Sequence, residues 1–150
     1  MLVWIVIVVI IIIGLITWIG SQSQAPAPAA SGPTGAIKTL TLNTATDPTL
    51  GTILVASNGM TLYRFTKDTV PAASACYGSC ATLWPAYIVS SDASLQGGGG
   101  ATGAITTITR TDGTLQATYN GQPLYFWHND AAPGDVNGQG VGGVWFVVNP

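Results

Sequence analysis

The chain has 150 residues, 47% hydrophobic and 7% charged, with six acidic residues against four Lys and Arg and a formal net charge of −2. A balance this weakly charged lacks the basic patch on which nucleic-acid binding depends, and it excludes that class of partner. Once the N-terminal segments are set aside, the length leaves room for one domain of roughly 110 residues with a modest core.

Leu2 to Ile19 is an unbroken apolar run softened only by Gly14 and Thr17. It just reaches membrane-spanning length. Each central Ile, Val or Leu contributes roughly −0.3 to −0.6 kcal/mol to insertion, so the run sums to roughly −4 to −8 kcal/mol with no charge opposing it. The absence of a polar face disfavours a buried core helix. A cleaved signal would carry a basic leader and a shorter apolar stretch. Here Lys38 is the first basic side chain, and the clearest small-residue site, Ala27-Pro28-Ala29, lies well beyond the run. Residues 1–20 are therefore expected to be a retained single-pass anchor in preference to a cleaved signal, with residues 2–19 in the membrane and the C-terminal part outside. Ser21 to Ala36 is rich in Pro, Ala and Ser without periodicity. It reads as an extended tether reaching up to roughly 50 Å.

Residues 37–150 read as an all-β extracytoplasmic domain. Lys38 to Asn43 alternates polar and apolar residues, as a half-buried strand does, and Asp47-Pro48 makes a turn. Gly51 to Pro71 then recurs, without a gap, as Gly113 to Pro133. The copies share Asn58-Gly59 with Asn120-Gly121, Leu62-Tyr63 with Leu124-Tyr125, Asp68 with Asp130 and Pro71 with Pro133, while Phe65 matches Trp127. Such agreement points to a duplicated unit. In each copy Asn-Gly supplies the positive-φ pair of a type I′ hairpin turn, joining Thr52–Ser57 to Met60–Thr66 and Thr114–Tyr119 to the strand that follows. Cys76 to Pro85 reads as a compact turn or one helical turn stopped by proline. Ala86 to Val89 reads as a strand end, Gln96 to Gly103 as a flexible glycine-rich loop, and Ala104 to Arg110 as a strand. Asp135 to Gly143 is a second glycine-rich loop. Val144 to Val148, apolar on both faces, is expected to be a central strand. The predicted fold is two related antiparallel hairpin units, about 51–90 and 113–149, forming one small sheet or sandwich.

At the repeated Leu-Tyr-x-(Phe/Trp)-x-x-Asp, the chain resembles the bacterial secreted lipoprotein repeat family of unknown function, with its tandem Tyr-x4-Asp motif at Tyr63 with Asp68 and Tyr125 with Asp130. Cys76-x3-Cys80-x3-Trp84-Pro85 and the run from Ala132 to Trp145 extend the similarity over nearly everything after the tether. The resemblance implies an exported, surface-associated protein of the bacterial envelope, and brings no reaction with it. Many members carry a lipid-modified cysteine at the mature N-terminus; none stands near the apolar run here, which favours a protein anchor.

The candidate chemistry has a bland reading beside each functional one. The two Tyr-Asp pairs would line related sites for a sugar or a cation. More simply, each aspartate caps a turn that ends at the following proline, while the tyrosine packs from its strand. Cys76 and Cys80 read as a structural disulfide, since a redox dithiol is usually Cys-x-x-Cys at a helix start in an α/β unit. His128 is the sole imidazole, and no nucleophile elbow accompanies it. The start of Asp135 to Gly140 looks like a calcium loop but lacks the acid at its twelfth position, so Asp130 and Asp135 are weak metal candidates. Tyr125, Trp127 and Trp84 are candidate ligand-contact aromatics, with core packing as their simpler role. The expectation is thus a non-enzymatic module without cofactor, binding an envelope protein or glycan. The alternative is a cation-binding or redox-linked periplasmic accessory protein.

Overall fold

The computed structural model describes residues 37–150; the proposed anchor and tether lie outside the described residues. Among the described residues no helix is long and apolar enough to cross a membrane. The architecture is mostly β. Strands β1 (Ile37–Asp47), β2 (Gly51–Val55), β4 (Ile88–Gly97), β5 (Ile105–Thr109), β6 (Leu115–Tyr119) and β7 (Gln122–Pro123) form one sheet in the order β2-β1-β4-β6-β5, with β7 added to β6. A second sheet pairs β3 (Tyr63–Phe65) with β8 (Trp145–Val147). Among the described residues the helical pieces are α1 (Ser79–Leu83), within the Cys76–Pro85 segment, and a 3-10 turn at Val141–Gly143.

Threonine-rich alternation drives the large sheet. In β1, Leu40 and Leu42 turn inward and are fully buried, while Thr39 faces solvent and Thr41 is only half-buried. The β1–β2 hairpin, with Thr44 opposite Leu54, is repeated by β5–β6, with Thr107 opposite Ala117. Contrary to the antiparallel expectation, β1 and β4 run parallel, with Thr39–Leu42 beside Ser94–Gly97. The long excursion from β2 through α1 permits this, since parallel neighbours need a crossover and cannot be joined by a hairpin. The strand end expected at Ala86 to Val89 is thus the start of a ten-residue strand. The glycine-rich loop is also tighter than its composition implies. Gly98 N donates to Leu42 O at 2.7 Å, and a Cβ at Gly98 would stand 2.6 Å from Asn43 Oδ1.

The two Asn-Gly turns differ. Asn120 and Gly121 both have positive φ (49° and 79°), as type I′ requires. At the first turn only Gly59 does (φ 82°), and Gly59 N donates to Ala56 O at 2.8 Å. That is the three-residue alternative, a type I turn followed by a left-handed glycine. Asn58 instead uses its side chain, whose Oδ1 accepts Met60 N at 3.1 Å. The extra loop residue shifts the first strand by one position: Leu62 N bonds Leu54 O at 3.0 Å, whereas Leu124 N bonds Ala117 O at 3.0 Å. The gapless alignment of Thr52 with Thr114 therefore breaks at the turn.

Past the turns the repeats exchange partners. In the first repeat, the expected Met60–Thr66 strand bridges its own hairpin partner only at Val55 and Thr61, then leaves to pair with the C-terminal strand. Phe65 lies opposite Trp145, and Thr66 N donates to Val144 O at 2.9 Å. The second repeat does the reciprocal thing. Tyr125 bridges Ala86, Phe126 N donates to Pro85 O at 2.8 Å, and His128 N donates to Leu83 O at 3.0 Å. Where the arms cross, Tyr63 N bonds Tyr125 O at 2.9 Å and Tyr125 N bonds Tyr63 O at 3.0 Å. The two motif tyrosines thus sit on a local two-fold axis, and each repeat is completed by the other. Val144 to Val148, expected as a central strand, instead contributes β8 to this small ladder, with Trp145 and Val147 in one of two clusters and Val148 in the other. One cluster lies under the large sheet around Leu40, Leu42, Leu54, Leu62 and Leu124; the other holds Tyr63, Trp84, Tyr125 and Trp145 around the crossing.

Candidate functional site

The crossing point places both Tyr-x4-Asp motifs in one buried region, but not in the pairing that their spacing suggests. Tyr63 Oη donates to Asp130 Oδ2 at 2.7 Å, and Tyr125 Oη donates to Asp68 Oδ2 at 2.7 Å. Each tyrosine thus bonds the aspartate of the other repeat. The remaining carboxylate oxygens hold loops: Asp68 Oδ1 accepts Ala75 N at 2.7 Å and Asp130 Oδ1 accepts Asn137 N at 3.0 Å. The local turn ending at the following proline is thus not what these carboxylates cap: each closes a longer loop that runs past the proline.

The two sites differ in what else reaches the phenol. Tyr63 Oη accepts Gly138 N at 3.2 Å. Gly138 is required there by close approach, because a Cβ would lie 2.7 Å from Tyr63 Cε1 and 2.9 Å from Trp84 Cη2. At the other site Tyr125 Oη meets Ser74 Oγ at 2.8 Å, and Arg110 Nη1 reaches both Ser74 Oγ at 3.0 Å and Gln116 Oε1 at 2.6 Å. Arg110 Nη2 donates to Cys76 O at 2.8 Å, and the guanidinium lies over the Tyr77 ring. Sequence reasoning missed Ser74, Arg110, Gln116 and Asn137. The available signal was an arginine ending an otherwise uncharged β-branched strand, in a chain with only four cationic side chains.

Burial dominates the electrostatics. It raises both Asp68 and Asp130 above the usual carboxylate range, against the opposing tyrosine hydroxyl and backbone N–H bonds. Burial also pushes Tyr63 and Tyr125 well above the ordinary phenol range, and the bonded carboxylates push the same way. Because both aspartates hold their protons more tightly folded than unfolded, their contribution is fully present below the unfolded value of about 4 and is lost as pH rises through the folded values. Asp112, lowered chiefly by its Thr114 hydrogen bonds, acts in the opposite sense and only below that value. The expected result is a denaturant midpoint that falls as pH rises above about 4, a slope that Asp68→Asn and Asp130→Asn flatten.

A stack of aromatic rings passes through the same region. Trp84 lies on Trp145 at 3.9 Å between centroids and 5° between planes, Phe65 covers Trp145 at 4.1 Å, and Trp127 covers Trp84 at 4.1 Å. Tyr63 meets Trp84 edge-on at 5.4 Å, and Tyr125 meets Trp145 edge-on at 5.1 Å. Of the candidate ligand-contact aromatics, Tyr125 and Trp84 are buried in this stack, and Trp127 is half-buried at its end.

Cys76 and Cys80 form a disulfide at the entry to α1, with Cys76 fully buried. His128 is exposed, its ring edge-on to Trp127 at 4.6 Å. The weak metal candidates are occupied by loop bonds: Asp135 Oδ2 accepts the N–H groups of Ala131 and Ala132 at 2.7 and 3.0 Å. Among the described residues no three His, Cys, Asp or Glu converge. A polar cleft of about 170 Å³ is lined by Arg64, Phe65, Thr66, Asp68, Gln122 and Pro123.

A protein family described as a secreted repeat of unknown function matches the chain twice, over residues 44–87 and 106–149. The chain belongs to this family. The secreted-repeat boundaries begin in β1 and β5 and end beside Tyr87 and Val148, so one family repeat comprises a β hairpin, its motif arm and the segment that receives the other repeat's arm. Tyr87 N on Leu124 O and Val148 N on Leu62 O close the two matched units alike, at 2.9 and 3.0 Å. No curated protein and no solved structure matches the chain.

Proposed function

We propose that this secreted-repeat protein is a non-enzymatic module displayed outside the membrane on its Pro-rich tether, with residues 2–19 as the anchor and an envelope protein or glycan as its partner. The observation that supports a non-catalytic role is the inward use of the motif. Both tyrosines and both aspartates are spent on bonds that lock one repeat to the other, which leaves His128 as an exposed side chain with no acid or nucleophile bonded to it. The buried disulfide fits the same reading, as a staple for the loop that carries Ser74 and the Cys76 carbonyl.

The test is cell fractionation with surface proteolysis, alongside intact mass with and without reductant and alkylating agent. Membrane retention with a protease-accessible domain, a Cys76–Cys80 bond that survives mild reductant and no bound metal are the expected outcomes. A chain starting beyond residue 20 would remove the anchor. A readily reduced pair or a stoichiometric metal would replace display with a redox or cation-linked accessory role. Cys76→Ala with Cys80→Ala should lower stability by about 2 kcal/mol, the chain-entropy value for so short a loop, read as a shift in denaturant midpoint.

A further inference from the structure

We propose that the crossing of the two repeats forms a one-electron relay, in which Trp127, Trp84 and Trp145 carry an oxidising equivalent inward to Tyr63 and Tyr125, and each tyrosine passes its phenolic proton to the aspartate it already bonds. This goes beyond display and makes no use of the disulfide.

The geometry supplies each part. Tryptophan and tyrosine are the side chains most readily oxidised by one electron without sulfur chemistry. Three tryptophans here stack in sequence at 4.1 and 3.9 Å, with the tyrosines edge-on at 5.4 and 5.1 Å. A phenol that loses an electron becomes a strong acid and must lose its proton to a base already in place. Asp130 and Asp68 stand 2.7 Å from the two phenolic oxygens.

A high-potential metal complex in its upper oxidation state, meeting the surface, takes one electron from Trp127 and falls to its lower oxidation state. The resulting cation radical is refilled from Trp84, which draws its electron from Tyr63 directly, or from Tyr125 through Trp145. The phenolic proton moves to the paired aspartate. The product is a reduced oxidant, one neutral tyrosyl radical and one protonated carboxyl, with no other atom transferred. A one-electron donor reverses each step.

The duplication is broken where direction is needed. Phe65 and Trp127 occupy equivalent ends of the stack, covering Trp145 and Trp84 respectively. Phenylalanine is far harder to oxidise, so the first repeat's end is insulated. The second repeat's end is the entrance, half-buried and flanked by exposed His128.

The experiment is flash oxidation of the full chain in detergent micelles by photogenerated tris(bipyridine)ruthenium(III), read by transient absorption. Trp4 and Trp18 are replaced by Phe throughout, so that only the domain's tryptophans report. The expected course is a tryptophan radical followed by a neutral tyrosyl radical that forms more slowly in D2O. Trp127→Phe, an aromatic exchange that imitates the other end of the stack, should reduce the tyrosyl yield several-fold. Tyr63→Phe with Tyr125→Phe should abolish it and leave a long-lived tryptophan radical. Near-ultraviolet circular dichroism checks that the variants are folded. A tryptophan radical that never passes to tyrosine in the unmodified domain, or a tyrosyl yield untouched by Trp127→Phe, would overturn the relay.

Discussion

Trp145→Ala lowers the unfolding free energy by about 4 kcal/mol, within the range for truncating a buried large aromatic. A domain of this size has about 5 to 15 kcal/mol in total, so the variant stands near the edge of folding. The size of the effect follows from position. Trp145 is 4% exposed, is covered on one face by Phe65 and on the other by Trp84, and receives the edge of Tyr125. Three ring contacts from both repeats end on one side chain, and alanine leaves a cavity that two interlocked arms cannot close without breaking the β3–β8 ladder. Urea denaturation followed by far-ultraviolet circular dichroism measures it. Phe65→Ala, at the half-buried end of the stack, should cost clearly less. Equal losses at the two positions would mean that the stack is not the centre of the fold.

Cutting the chain has the largest expected effect. If it is divided between Gly99 and Gly100, two exposed positive-φ glycines of the turn after β4, neither fragment should fold alone. The N-terminal piece would expose the β3 arm and the 83–86 segment without partners; the C-terminal piece would expose Tyr125 to His128 and β8. Unpaired backbone groups and bare aromatic faces on both sides outweigh what either hairpin gains alone, since isolated two-stranded hairpins are marginal at best. Mixed in equal amounts, the fragments should recover β-sheet circular dichroism and elute as one species. A folded, monomeric single fragment would contradict the interlocked account.

Much of this fold is legible from period and turn chemistry. Alternation of Thr with Leu marks β1, the β-branched run Ile105–Thr109 marks β5, and Asn120-Gly121 forms the predicted I′ turn. Asn58-Gly59 shows the limit of the dipeptide signal: the same two residues accept a longer loop when Asn58 can spend its side chain on Met60 N. The parallel run of β4 was hidden because Ala93 and Leu95 are the only apolar residues in Ser90 to Gln96, too short a stripe to say which strand they stand beside. The terminal Val144 to Val148 run reads as central because it is apolar throughout, yet Trp145 and Val147 are buried in one cluster, Val148 in the other, and Phe146 stays half-buried beneath Arg64.

At the site, the sequence identifies the participants and not their partners. Tyr63, Asp68, Tyr125 and Asp130 stand out through repetition alone. A gapless repeat invites pairing within each copy, and nothing local signals that the arms cross. The bonds of Tyr63 to Asp130 and of Tyr125 to Asp68, across the backbone pair of the two tyrosines, reverse the assignment. Arg110 escaped notice because its role comes from burial beside Ser74, Gln116 and the Cys76 carbonyl, all distant in sequence or on another strand.

The most direct test of the interlocked motif is a set of double-mutant cycles on unfolding free energy, using Tyr→Phe and Asp→Asn at the four motif positions. Coupling of about 1.5 to 3 kcal/mol is expected for Tyr63 with Asp130 and for Tyr125 with Asp68, the size of a hydrogen bond to a charged partner. The within-repeat pairs, Tyr63 with Asp68 and Tyr125 with Asp130, should be additive to within about 0.5 kcal/mol. Coupling confined to the within-repeat pairs would contradict the crossing of the two arms and return each Tyr-x4-Asp motif to its own repeat.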